Sequence, residues 1–240
     1  MMESAIDFHN VSFTVQDKQI LKMITGTFFK GKITTLVGPS GAGKTTLLKL
    51  CNGLLSPSAG QISINQQAIE QYEPTALRKQ VGMALQAAPM ITGTVFENLA
   101  LPRTLQGKQL TQREAISYLH DVGLDDRFLN RTAQELSGGQ QQKISIARTL
   151  INQSSILLLD EITSALDPQS VHDIESLITR INQKYQVTII WITHNLRQAL
   201  SIGHYTWVMM DGRLVESGDS SLLNAPTNPA VAQFIQGVKA

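Results

Sequence analysis

The sequence predicts an α/β fold organised around a central, largely parallel β-sheet, and three observations carry that prediction. Ile33-Thr34-Thr35-Leu36-Val37 reads as a buried strand that runs through a glycine-rich loop into a helix from Lys44. Ile156-Leu157-Leu158-Leu159 is a second apolar run, and it stops at Asp160-Glu161. Thr188-Ile189-Ile190-Trp191-Ile192-Thr193 is a third, ending before His194. Near-continuous apolar runs of this length suit strands covered on both faces.

Gly38-Pro39-Ser40-Gly41-Ala42-Gly43-Lys44-Thr45 matches the phosphate-binding pattern G-x-x-x-x-G-K-[ST]. Its glycines let backbone amides wrap phosphate oxygens, and the helix that follows points its positive N-terminus at them. Lys44 is expected to reach the β and γ phosphates, Thr45 to place its hydroxyl on Mg²⁺, and Thr46 to reach the α phosphate. A ligand-free strand-to-helix turn is the plain alternative; the strand before and the helix after weigh against it.

From about Ala87 to Glu135 the chain turns helical. Thr94 with Glu97, and Thr111 with Glu114, have the spacing of capping boxes, and Gly123 suits the end of the second helix. Ser137 and Gln140 repeat that spacing inside Leu136-Ser137-Gly138-Gly139-Gln140, which predicts a helix through Lys143, Ile144, Ile146, Ala147 and Leu150. Two adjacent glycines weaken such a start by roughly 1 kcal/mol each relative to Ala. What they offer is a helix N-terminus free of side chains, a second anion site too far along the fold to serve the same phosphate loop. An ordinary glycine-containing turn is the alternative.

Asp160, at the end of its apolar run, is placed near the Mg²⁺ of the phosphate loop, and Glu161 points to the other side of the strand end, where it can polarise a water for in-line attack on the γ-phosphate. A solvated acidic pair capping a strand is the alternative, and the pairing with the phosphate loop favours chemistry. Asp167-Pro168 is a good helix start, Asp as N-cap and Pro in the first turn. His194 taken alone would read as a surface histidine. Trp207-Val208-Met209-Met210, Asp211-Gly212 and Arg213-Leu214-Val215-Glu216 read as a hairpin with a two-residue turn, and Pro226 and Pro229 punctuate the end.

With 240 residues, 42% of them apolar, the chain can bury a substantial core. The expectation is one domain over 1–240, with a nucleotide-binding core at 1–86 and 137–240 and a helical lobe at 87–136. No apolar run approaches the ~20 residues of a membrane span. Met1-Met2-Glu3-Ser4-Ala5-Ile6-Asp7 lacks the basic and apolar regions of a signal peptide, so a cytosolic location is expected. A net charge of +1 with 16% charged residues argues against an electrostatic nucleic-acid binder. Cys51 is the single cysteine, which leaves no intrachain disulfide, and is expected to pack on the helix after the phosphate loop.

Together these motifs resemble an ATP-binding-cassette ATPase of the kind that drives ABC transporters, over about Phe8 to Gly218. The resemblance implies a P-loop NTPase cassette with an antiparallel β element near the N-terminus beside the mostly parallel sheet, and an inserted helical lobe. It implies that Ser137, Gly138, Gly139 and Gln140 of the signature motif face the ATP held by the P-loop of a second copy, so that a homodimer sandwiches two nucleotides. It makes Gln86 the Q-loop glutamine that touches metal and attacking water and senses the membrane partner, although Gln86 also reads as a polar strand end. Ser164-Ala165-Leu166-Asp167 matches the D-loop between the two sites, and His194 the switch histidine on the γ-phosphate. The face bearing Pro89, Met90, Ile91 and Phe96 is implied to receive a coupling helix of an integral membrane permease, with packing inside the lobe the alternative for each residue. The implied location is the cytoplasmic face of the membrane, with no nucleic-acid partner.

The sequence departs from the family where many members stack an aromatic on adenine. Val15 stands there, in Val11-Ser12-Phe13-Thr14-Val15, while Phe13 shares the side of Val11 and faces the core. An aliphatic contact forgoes roughly 1 kcal/mol of stacking. Glu161-Ile162-Thr163, where Pro often follows the glutamate, leaves the chemistry untouched. For cargo, Thr94 to Pro102, Glu161 to Asp167 and Trp191 to His194 are similar to ATPases assigned to iron export and, less closely, phosphate import. The rival class is a soluble ABC ATPase acting on DNA or ribosomes, which usually shows two cassettes in one chain or a long coiled-coil insertion; neither is present in this sequence.

Overall fold

A computed structural model describes residues 2–239 and builds two sheets from ten strands. Strand β1 (Ser4–Val15) folds back on β2 (Lys18–Phe29) through Gln16-Asp17, both left-handed with φ of 44° and 66°. Next, β3 (Ile33–Val37) leads into α1 (Lys44–Cys51). The antiparallel sheet is completed by β4 (Ala59–Ile64) and β5 (Gln67–Ala68), in the order β2-β1-β4-β5. A short helix α2 (Pro74–Gln80), capped by the Glu73 carboxylate, then delivers β6 (Val81–Ala84).

The expected helices follow. Capping boxes start α3 (Val95–Thr104) at Thr94, α4 (Gln112–Asp121) at Thr111 and α5 (Gly138–Ile151) at Ser137, with side chain and backbone bonding reciprocally in all three. Gly123, at φ 69°, closes α4, its amide and that of Leu124 turning back onto the last carbonyls. After β7 (Ile156–Asp160) come α6 (Pro168–Tyr185), capped by Asp167, then β8 (Thr188–Ile192), α7 (Leu196–Ile202) and the hairpin β9 (Tyr205–Met210) and β10 (Arg213–Asp219). Asp211 and Gly212 in its turn both have positive φ, as a primed two-residue turn requires. Pro226 is followed by a further helix, α8 (Pro229–Lys239), which Pro229 opens.

The main sheet has the order β10-β9-β3-β8-β7-β6, parallel from β9 to β6 with β10 antiparallel at the edge. Successive side chains of its central strands face opposite cores. Leu157, Leu159, Ile189 and Trp191 join the apolar cluster of α3 to α6, and Ile156, Leu158, Ile190 and Ile192 join α1 and the antiparallel sheet. The helices α3 and α4 therefore share one core with the sheet instead of building their own. Trp207 knits the sheets together, with its ring 4.2 Å from Phe28 and 5.8 Å from Phe8. Cys51 is buried in α1 as expected, where burial pushes its thiol up.

Candidate functional site

Strand register assembles the site. Leu36 pairs Ile192 and Ile192 pairs Asp160, so the carboxyl ends of β3, β8 and β7 lie side by side and release their loops at one edge. Those loops carry the phosphate-binding glycines, His194 and Glu161. This is where an open parallel sheet offers a crevice.

The loop from Gly38 to Gly43 is possible only with glycine at its tight points. A Cβ on Gly38 would lie 2.0 Å from the Met209 carbonyl oxygen, and Gly43 has φ 93° as the N-cap of α1. Lys44 is buried, and its Nζ donates to the carbonyls of Gly38 (2.8 Å) and Pro39 (2.9 Å). Burial pulls its pKa down, against the opposing pull of Glu161 and Asp160. The Thr45 hydroxyl donates to Asp160 Oδ1 at 3.2 Å. Burial raises the Asp160 carboxyl, while Thr45 works the other way. A hydroxyl beside a carboxylate is a fitting partial set of oxygen ligands for Mg²⁺ when phosphate oxygens and water complete it.

Glu161 sits just past β7 with φ 51°, a left-handed conformation rare for a residue with a side chain. The surroundings hold it there: its amide donates to Ile192 O (3.2 Å), and its carbonyl accepts from the Ser164 amide (3.0 Å) and hydroxyl (2.9 Å). Its Oε1 lies 2.6 Å from His194 Nε2. With Glu161 ionised, the carboxylate can only accept, so Nε2 carries the proton of that bond.

Lys44, Glu161 and His194 line one cleft of about 720 Å³ together with Ser40, Gly41, Ala42, Gly43, Thr45 and Thr46, and Asp160 lies just outside this lining, bonded to Thr45. The sequence reading missed its far wall, where Lys18, Gln19, Ile20, Lys22, Asp211 and Gly212 come in from β2 and the hairpin turn. The Lys22 amide donates to Gly212 O at 2.8 Å, joining the two. Only the basic character of Lys18 and Lys22 hinted at this, because nothing local in a β-strand says which other strand it will meet.

Other expected site residues lie elsewhere. Val15 is 47% exposed at the end of β1 and is outside the lining of the cleft, although its pairing partner Lys18 is in it. Phe13 packs on the core as expected. Gln86 is exposed, two residues past β6, and also outside the lining. Ser137, Gly139 and Gln140 border a different, smaller cleft with Ser170 and Asp173, and Gly138 lies between them at the start of α5. Asp167 caps α6 by accepting from the Ser170 amide (3.0 Å) and hydroxyl (2.6 Å), which hold its carboxyl below the usual range. Near Gln86, Met90 and Phe96 pack inward, whereas Pro89 and Ile91 are exposed.

A family model described as "ABC transporter" matches residues 21–164. The chain is 43% identical over 97% of its length to a putative ABC transporter ATP-binding protein, YjkB of Bacillus subtilis, and covers 94% of it. It is 37% identical over 98% of its length to a methionine import ATP-binding protein, MetN 1 of Lactiplantibacillus plantarum, covering 69% of that protein. In fold it matches cbiO1 of Clostridium perfringens, part of the ABC transporter complex cbiONQ, with a TM-score of 0.85 at 23% identity over 99% of this chain and 100% of that one.

Proposed function

This chain belongs to the ABC transporter family as an ATP-binding subunit, and from that membership we propose that two copies close on two ATP molecules to drive import of a small solute through a separate membrane permease. Membership makes it an ATPase coupled to transport. The observation that carries the mechanism is the convergence of Lys44, Thr45, Glu161 and His194 on one cleft, with Asp160 bonded to Thr45.

In this mechanism Lys44 exchanges its bonds to Gly38 and Pro39 for the β and γ phosphates, beside the amides that open α1. Thr45 and Asp160 would hold Mg²⁺, which when bound would offset the negative charge that develops on the phosphates. Glu161 accepts a proton from water as the water oxygen bonds the γ-phosphorus and the bond from that phosphorus to the bridging oxygen of ADP breaks. His194, bonded to Glu161 and lining the same cleft, orients that carboxylate and is the residue assigned to contact the γ-phosphate.

The separate position of Ser137 to Gln140 supports the two-copy arrangement, since a free helix N-terminus away from its own P-loop is available to another copy's nucleotide. No helix of the described residues is long and apolar enough to cross a membrane, and in this reading the permease supplies the spanning path. Exposed Leu85 and Ile91 beside Gln86 offer it a contact, which supports the peripheral position at the cytoplasmic face of the membrane that the resemblance implies. For cargo, the relative named for methionine import favours import over the iron export that the short motifs resemble. A net charge of +1 disfavours the nucleic-acid reading.

Steady-state phosphate release tests the chemistry: wild type releases phosphate from Mg-ATP, and Glu161→Gln binds ATP without turnover. Recovery of Glu161→Gln from membranes with ATP and Mg²⁺ tests the rest. Co-purification of a multi-span protein is expected, and ribosomes or DNA in its place would overturn the transporter reading.

A further inference from the structure

The segment from Leu85 to Gly93 has no regular structure, yet side chains of two helices grip its backbone at several points. Gln142 of α5 is only 2% exposed, and its Nε2 donates to the carbonyls of Leu85 (3.1 Å) and Gln86 (2.6 Å). Its Oε1 is buried with no partner among the described residues. Facing two carbonyls, the amide has one acceptable orientation, because a flip would set oxygen against oxygen. Six residues along α5, Arg148 donates to Pro89 O at 2.6 Å and forms no ion pair among the described residues. From the other side Asn98 of α3, fully buried, accepts from the Ile91 amide (2.9 Å) and donates to Ile91 O (3.1 Å).

A buried amide that leaves its own oxygen unsatisfied is costly. Leu85 and Gln86 are exposed as residues, yet their carbonyls turn to a side chain that is itself buried. The helix that Gln142 rides begins at Ser137, so the same rigid body ends in the anion-binding N-terminus and grips the backbone of Gln86.

We propose that Gln142 is a positioning residue that, with Arg148, latches the Gln86 segment to helix α5, so that the signature end of the helix and Gln86 move as one unit. The inference rests on the reading of Gln86 as the residue that serves the metal and attacking water. Closure of the Ser137 end onto a second copy's nucleotide then displaces Gln86 with it, and a contact at Pro89 or Ile91 is felt at the signature motif.

Gln142→Met keeps the length of the side chain and removes the donor. The expected result is at least fivefold faster amide hydrogen exchange over residues 86–92 with α1 unchanged. Alongside it, kcat should fall at least fivefold with KM for ATP within twofold. Combined with Gln86→Ala, Gln142→Met should lower kcat no further than Gln86→Ala alone, because it acts through that residue. A smaller change in exchange, a rise in KM with kcat intact, or effects that multiply in the double variant would overturn the latch. If Gln142→Met does not fold, Arg148→Met carries the same measurements through Pro89. Should wild type hydrolyse ATP while Gln86→Ala is fully active, the assigned role of Gln86 fails, and the exchange data still decide the latch.

Discussion

Glu161 shows how single residues store what the site needs. A left-handed glutamate costs of order 1–3 kcal/mol, and three backbone hydrogen bonds to Ile192 and Ser164 hold it there. The bend turns its carboxylate toward His194 and the cleft. Glu161→Gln keeps the shape and removes the base, so kcat should fall by about 10²–10⁴ with ATP binding retained, as read by phosphate release and nucleotide titration. Gly38 is as specific at the backbone. Gly38→Ala sets a Cβ 2.0 Å from Met209 O at a φ of 146°, so the loop or β9 must shift; a loss of about 3 kcal/mol or more in denaturant unfolding is expected, along with loss of ATP binding. Val15 is the opposite case, a position that asks for more. On the reading that this position meets adenine, Val15→Tyr supplies the missing ring, and titration should show ATP binding tightened by about fivefold, roughly 1 kcal/mol.

At the scale of elements, capping chemistry decides where helices begin. Three of the four capped starts expected from the sequence use a reciprocal pair, and the fourth is the Asp167 cap of α6. Thr94→Ala removes one such pair away from the cleft and should cost about 1 kcal/mol in unfolding. A single carboxylate holds the segment that leads into the last helix. Glu216 in β10 accepts from the Thr227 amide and hydroxyl (both 2.8 Å) and the Asn228 amide (3.2 Å), directly before α8. Partial burial pushes its pKa up, but those three bonds together outweigh it and leave the carboxyl below its ordinary value. A depressed carboxylate contributes stability that is present above its unfolded pKa, about 4.3, and is lost as pH falls through the folded value. The protection of the amides of residues 229–239 against hydrogen exchange, relative to the intrinsic rate at each pH, should therefore fall below about pH 4.3. Glu216→Gln should bring the same change at neutral pH and flatten the acid dependence.

At the scale of the whole molecule, the two groups of residues proposed to carry the nucleotide chemistry lie in different clefts, one at the P-loop and one at the start of α5. A second copy joins them in the proposed mechanism, so Glu161→Gln should run as a dimer by light scattering with Mg-ATP and as a monomer without it. Serial dilution would separate this from nonspecific association.

Most of the parallel sheet was legible because its strands are covered on both faces, which leaves apolar runs such as Ile156 to Leu159 that nothing else explains. The helix starts were legible because a cap and its partner lie three residues apart. The phosphate loop was legible because its chemistry lies within eight consecutive residues. What the sequence alone determined is thus what is encoded over short separations: the central apolar strands, the capped helix starts, and the residue types proposed to meet phosphate, Mg²⁺ and water. Tertiary structure alone decided which of them meet. The approach of β2 and the Asp211-Gly212 turn to the cleft, the 2.6 Å contact between Glu161 and His194, and the grip of Gln142 on Gln86 all join residues far apart in the chain. Such contacts depend on strand order and register, and the cross-strand partners of a sheet leave no local mark on the residues that will share an edge.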